Sequence, residues 1–157
     1  MRYMTFAAAV LMLTVVADPA PAQDVATAAV LSGTASVRDG DDVLFGQVSV
    51  RLQGIAAPED RRGSREAGGP EATASLRALV DGRFLVCHLD GATTGKSGRP
   101  TGICYLGDLD VGRFQVETGH ALDCPAFSHG RYAPAEAAAK VAGRDLGAIY
   151  PLPPYCR

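Results

Sequence analysis

Residues 32–59 read SGTASVRDGDDVLFGQVSVRLQGIAAPE, and their spacing decides the fold. Ser32 to Val37 alternates along the chain and runs into Asp39-Gly40-Asp41, a turn signal. Val43 to Phe45 and Val48 to Leu52 are apolar and rich in β-branched residues, and only Gly46-Gln47 splits them, so they read as a hairpin. Ala56-Ala57-Pro58-Glu59 breaks the strand, because proline has no backbone donor to continue a ladder. Three short strands in succession follow from this one stretch.

The rest of the chain adds to that frame. Asp60 to Gly69 is polar, Arg-rich and Gly-rich, and reads as a mobile loop. Pro70 opens a helix at a position where proline is tolerated. Ala72, Leu76, Leu79 and Val80 then form one buried stripe, and Asp81-Gly82 ends it. Arg83 to Leu89 and Gly98 to Leu106 read as two strands folding back on each other. Asp110 caps a second helix through Thr118, with Gly119 as its left-handed stop. Pro134 opens a third, Ala-rich helix with Glu136 and Lys140 four apart. The order is three strands, a helix, two strands and two helices. The expected fold is therefore α+β, a small five-stranded antiparallel barrel of the oligonucleotide- and oligosaccharide-binding (OB) type with three helices.

Upstream, residues 1–22 read as a secretory signal. Arg2 is the positive start, Phe6 to Ala17 carries no charge, and Ala20-Pro21-Ala22 offers small residues for cleavage. That run is too short to span a bilayer, which takes about 20 apolar residues. Residues 23–31 are then a loose leader and 32–157 the folded domain. The expected destination is the periplasm or the medium, as a monomer with no membrane association once the signal is removed.

Composition narrows the function classes. The chain has 157 residues, 47% of them hydrophobic and 20% charged, which excludes a disordered or collagen-like chain. A net charge of -2 does not by itself imply a polyanion partner. Thirteen of the fifteen basic residues are Arg, so only the position of each arginine carries information. Four cysteines in an exported chain read as two disulfides drawn from three possible pairings. Cys87–Cys104 and Cys124–Cys156 are favoured, because residues 87 and 104 are symmetric about the turn at Gly95-Lys96. A zinc site from Cys87, His88, Cys104 and His120 has the wrong spacing and the wrong compartment.

Several motifs fail on inspection. Gly91 to Ser97 is one residue short of a phosphate-binding loop and leads into Gly98-Arg99-Pro100, where a helix would have to start. Ser128-His129 has no nucleophile elbow. Aromatic platforms for a carbohydrate-binding module are missing.

One ordered set remains: Asp39-Gly40-Asp41, Arg51, Pro58-Glu59 and Gly98-Arg99. Phosphodiester hydrolysis needs a carboxylate to take a proton from the attacking water. It needs cations to hold the phosphoryl oxygens as charge builds. The planar fork of arginine can hold two oxygens at once. A metal held by carboxylates often shares that task.

The text VRDGDDVLF, VRLQGIAAPED, GKSGRPTGICY and ETGHAL, followed by Tyr132, Glu136, Ala139 and Lys140, resembles the thermonuclease family, the staphylococcal-nuclease-like domains. The resemblance covers about Ser32 to Tyr150. It implies an OB barrel with three helices and a calcium-dependent nuclease acting on DNA and RNA. Under it Glu59 is the general base or water-positioning group, Arg51 and Arg99 bind phosphate, and Asp41 is a calcium ligand. Lys96, Phe127 and Tyr132 become candidate nucleic-acid contacts. This chain departs from the pattern at Ala56, where the family has a second metal-binding aspartate; the Ala57 carbonyl is one substitute at hand, and Asp39 or Asp60 is another. Asp42 replaces a threonine and is expected to face the other side of the strand. Asp39 and Asp60 are further carboxylates near the turn. The exposed-looking Arg61, Arg62 and Arg65 read first as a solvated loop. The competing expectation, carried by Ala56, is an OB module that has lost catalysis and binds nucleic acid or an envelope protein.

Overall fold

Alternation shapes the first strands. In the computed structural model, which describes residues 29–95 and 98–157, β1 (Val30–Thr34) and β2 (Ser36–Asp39) are two halves of one segment interrupted only at Ala35. Along β2, Val37 and Asp39 point inward while Ser36 and Arg38 face solvent. β3 (Asp42–Phe45) pairs antiparallel with β2 and with β4 (Val48–Leu52). The first two residues of β1 were expected to lie in a loose leader; they are paired instead, Val30 with His88 and Leu31 with Cys87. The proposed signal and the leader through residue 28 lie outside the described residues.

Downstream come β5 (Ile55–Ala56), β6 (Asp60–Arg61), β7 (Ser64–Arg65), α1 (Gly69–Val80), β8 (Phe84–Thr94) and β9 (Arg99–Leu106). Then follow β10 (Leu109–Asp110), α2 (Val111–Glu117), β11 (Leu122–Asp123), α3 (Pro125–Ser128) and α4 (Ala133–Val141), with 3-10 turns at Leu146–Ala148 and Pro154–Cys156. The helices start as the sequence indicates. Pro70 sits in the first turn of α1, Asp110 Oδ1 accepts from Arg113 N at 3.0 Å to cap α2, and Gly119 follows α2 at φ 77°. Among the described residues there are four α-helices rather than the expected three, because Pro125 opens the single turn of α3.

The fold is α+β, with a mixed sheet in the order β1-β8-β9-β4-β3-β2 and β10 added on β9. The expected all-antiparallel pairing fails at its centre: β4 and β9 run parallel, Arg51 opposite Thr101 and Leu52 opposite Gly102. Chain path explains this. The α1 crossover delivers β8 to β1, so the return strand β9 is the one that lies beside β4. The Asp60–Gly69 segment also differs from a mobile loop. It is a small hairpin of β6 and β7, stapled where Glu66 N donates to Glu59 O at 2.8 Å.

The main core gathers Val43, Val50, Leu52, Leu76, Val80, Leu85, Val111 and Val116, all at most 1% exposed. Truncating one such Leu to Ala costs about 2–5 kcal/mol. Cys87 and Cys104 face each other across β8 and β9 and are bonded. That bond rules out the zinc arrangement. A second cluster, Ala56, Leu122, Cys124, Leu146, Tyr150 and Cys156, packs around the Cys124–Cys156 disulfide.

Gln115 fixes the Asp39-Gly40-Asp41 turn to this core. It is fully buried; its Nε2 donates to Gly40 O at 2.9 Å and Ala72 O at 3.0 Å, and its Oε1 accepts from Ser75 Oγ at 2.8 Å. The turn approaches α1 so closely that a Cβ on Gly40 would lie 2.7 Å from that of Ala72, which leaves room only for glycine.

Candidate functional site

Four carboxylates and three guanidiniums meet where the β2–β3 turn, the parallel β4–β9 pair and the β5–β6 connection converge. β4 supplies Arg51 and the start of β9 supplies Arg99, two residues before the Thr101 that pairs with Arg51. Each of these arginine side chains is only 14% exposed. The β2–β3 turn supplies Asp39, Asp41 and Asp42, all at most 2% exposed. Glu59 leads into β6, and its carbonyl abuts the first turn of α1 so tightly that Gly69 has no space for a Cβ.

The ion pairs are specific. Arg51 grips Asp41, Nη2 to Oδ2 at 2.7 Å and Nη1 to Oδ1 at 3.2 Å. Arg99 Nη1 lies 2.6 Å from Asp42 Oδ2. Asp42 therefore joins the cluster rather than facing away; the β2–β3 register shifts between Val37 and Asp39, and its Oδ1 accepts from Ser49 Oγ. Arg61 Nε lies 2.8 Å from Asp39 Oδ2 and 2.9 Å from Glu59 Oε2, and its Nη2 is 3.7 Å from Asp42. The expected solvated loop thus contributes an anchoring cation. Arg65 instead pairs with Asp60 at 2.8 Å, and Arg62 is exposed.

Protonation follows from this packing. Burial raises the Glu59 carboxyl, and the neighbouring Asp39 raises it further, to about 7. Burial alone would raise Asp39 too, but hydrogen bonds involving Glu59, Gly40 N, Asp60 N and Arg61 hold it below the usual carboxylate value. Asp41 is raised by burial against the pull of Arg51. Near neutral pH Glu59 is the group poised to exchange a proton.

The residues present do not fit a calcium ion. Asp39 Oδ1 accepts from Gly40 N, Asp60 N and Thr73 Oγ1, and its Oδ2 from Arg61. Both Asp41 oxygens face Arg51, and Ala57 N approaches Oδ2 at 3.4 Å. Ala56 is fully buried in the second cluster, and the Ala57 carbonyl accepts from Tyr150 Oη at 3.4 Å. Among the described residues no three His, Cys, Asp or Glu side chains converge on a metal position. Calcium prefers 6–8 oxygen ligands.

The remaining site expectations divide. Phe127 is exposed beside the second disulfide, and Gln53 Nε2 donates to its carbonyl. Tyr132 is no surface contact: it is 1% exposed, and its hydroxyl donates to Asp110 Oδ2 at 3.2 Å. Its ring belongs to the main core and packs against Gly54 and Gly112. Lys96 lies outside the described residues. The sequence reading missed Arg61 as a site residue, although its position two after Glu59 in an extended segment put both on one side. It also missed Tyr155, whose Oη accepts from Arg51 Nη2 at 3.5 Å across 104 residues. The disulfide of its neighbour Cys156 was the available signal.

Compared with known proteins, the chain is similar to the succinoglycan biosynthesis protein ExoI of Rhizobium meliloti (strain 1021), 32% identical over 136 residues that cover 82% of this chain and 70% of that protein. No family model matches it.

Proposed function

Taking as premise that the chain belongs to the family of the succinoglycan biosynthesis protein ExoI, we propose that it is an exported phosphodiester hydrolase of thermonuclease-like design, acting on DNA or RNA. The observation that carries this reading is the placement of Arg51 and Arg99 on neighbouring parallel strands, with a carboxyl group raised to about 7 in the same cluster. In the proposed reaction a substrate phosphate takes the place of the Asp41 and Asp42 carboxylates on the two guanidiniums. Both are oxyanions, and arginine binds either through the same fork. As water oxygen bonds to phosphorus, Glu59 accepts its proton; the bond from phosphorus to the leaving ester oxygen breaks, that oxygen takes a proton from solvent and departs as an alcohol, and Arg51 and Arg99 hold the negative charge that builds on the phosphoryl oxygens.

The same reading takes the sheet as an OB-type barrel. In support, its two outer strands β1 and β2 are consecutive halves of one bent segment. Export is supported by the two disulfides, which persist in oxidising compartments. Among the described residues no helix is long and apolar enough to cross a membrane. The relative's role as a succinoglycan biosynthesis protein suggests a setting in succinoglycan biosynthesis for this chain as well.

A second reading, a binding module without catalysis, is favoured by one observation: Ala56 puts an apolar, fully buried side chain where a metal-binding carboxylate was expected. Incubating residues 23–157 with single-stranded DNA and RNA, with calcium or with a chelator, separates the two. Cleavage absent from the Glu59→Gln variant supports the hydrolase. Salt-sensitive binding with no cleavage by the folded protein supports the module.

A further inference from the structure

We propose that Arg61 is the resident cation of this site: its guanidinium binds Asp39, Glu59 and Asp42 together and makes a divalent ion unnecessary for assembling the cluster. The geometry supplies the argument. One N–H group, Arg61 Nε, lies within 2.9 Å of carboxylates from two different elements, Asp39 at the end of β2 and Glu59 before β6. The other end of the same fork, Nη2, is buried, has no hydrogen-bond partner, and stands 3.7 Å from Asp42. Three acidic groups of three segments therefore share one cation, which is the structural task of a bound metal. A closely packed set of carboxylates needs a positive centre, because desolvated like charges repel. Arg51 and Arg99 are committed to Asp41 and Asp42, so neither serves Asp39 or Glu59.

The donor inventory agrees. Every oxygen of Asp39, Asp41 and Asp42 already accepts from a protein donor. The position two before Pro58, which could add a carboxylate, is Ala56. A divalent ion would have to displace a guanidinium and find its remaining ligands in water. The hairpin that carries Arg61 is itself fixed, since Glu66 Oε2 accepts from Glu59 N at 2.9 Å and Arg65 pairs with Asp60. The fork is thus held in place by local structure. Arg61 acts here as a positioning residue: it orients Glu59 and balances its charge without needing to touch a substrate. The inference stands whether or not the site cleaves phosphodiesters, because its readouts are unfolding temperature and heat of binding.

The test is thermal unfolding and titration calorimetry of the purified protein with calcium chloride or a chelator, for the parent chain, Arg61→Gln and Arg61→Lys. The parent should show no calcium heat and the same unfolding temperature in both media. Arg61→Gln should unfold at lower temperature in chelator and regain several degrees with calcium, since it exposes an unbalanced acidic cluster to the ion. If that variant is unfolded in chelator, calcium should restore its folding where an equal ionic strength of sodium chloride does not. Arg61→Lys keeps the charge and should stay indifferent to calcium. Stoichiometric calcium binding by the parent overturns the proposal. So does an Arg61→Gln variant that gains no response to calcium.

Discussion

Asp41 and Arg51 are bound to each other, Oδ2 to Nη2 at 2.7 Å, with side chains 3% and 14% exposed. By resemblance, Asp41 would hold a metal ion and Arg51 a phosphate. The structure gives each the other. Such a pair is neutral and enclosed, so an incoming anion must compete with a carboxylate for the guanidinium.

Removing one partner of an enclosed pair leaves the other unpaired. Arg51→Ala should therefore destabilise the fold by about 3–5 kcal/mol, read from the urea midpoint. The Arg51→Ala, Asp41→Asn double variant should recover a substantial part of the loss. A double variant as unstable as the sum of the two single variants would refute the coupling.

Glu59 is half-exposed at the cluster and contributes little packing. Glu59→Gln should leave the unfolding midpoint close to that of the parent and lower any phosphodiester cleavage by about 10²–10⁴-fold, the usual yield of a general base. Single-turnover cleavage of a labelled oligonucleotide measures it.

Two pH effects follow from the same carboxyl group. Under the proposed hydrolase reading, its value of about 7 would put the rising limb of cleavage close to neutrality, because the base must be deprotonated. Stability runs the other way. The folded chain holds a proton on Glu59 that the unfolded chain, at the ordinary 4.5, releases earlier. That contribution is complete below about pH 4.5 and is lost as pH rises through about 7. Asp39, held below its ordinary 3.8, contributes with opposite sign: its share is present above that value and disappears on acidification. Urea midpoints across this range should fall toward alkaline pH in the parent and flatten in Glu59→Gln.

The Cys124–Cys156 bond closes 32 residues and holds the segment that brings Tyr155 to Arg51. Loop entropy assigns such a bond about 3–4 kcal/mol. Replacing both cysteines with alanine should cost that much in denaturant unfolding. It should also expose the chain after Tyr150 to limited proteolysis while leaving the β8–β9 ladder intact.

Ala56→Asp tests how the missing ligand position is built. The site lies in an apolar cluster with Leu122, Leu146 and Tyr150. A carboxylate placed there meets a burial cost of several kcal/mol. The expected result is a lowered unfolding midpoint that calcium does not restore, measured in parallel with and without the ion.

What the sequence made legible was local. The Val43–Phe45 and Val48–Leu52 strands, the α1 stripe and the Asp110 cap rest on near-neighbour spacing, and spacing survives folding. The parallel β4–β9 contact was invisible because it depends on which strand the α1 crossover sets beside Arg51. The β6–β7 hairpin escaped because Asp60, Arg61, Ser64 and Arg65 give no apolar alternation; ion pairs order them instead. Tyr132 matched a surface role by position along the chain, yet its ring is needed in the core.

The bent segment from Val30 to Asp39 has a kinetic consequence. Its second half meets β3 within a few residues, while its first half must wait for β8, which follows only after α1. Ala35 joins the two ladders: its N donates to Arg83 O and its carbonyl accepts from Gly82 N, both at 2.8 Å. Short-range contacts close quickly and long-range ones slowly. The hairpin can therefore form early, whereas the β1 end has no partner until the chain through β8 is present, so one continuous segment is completed in two separate steps.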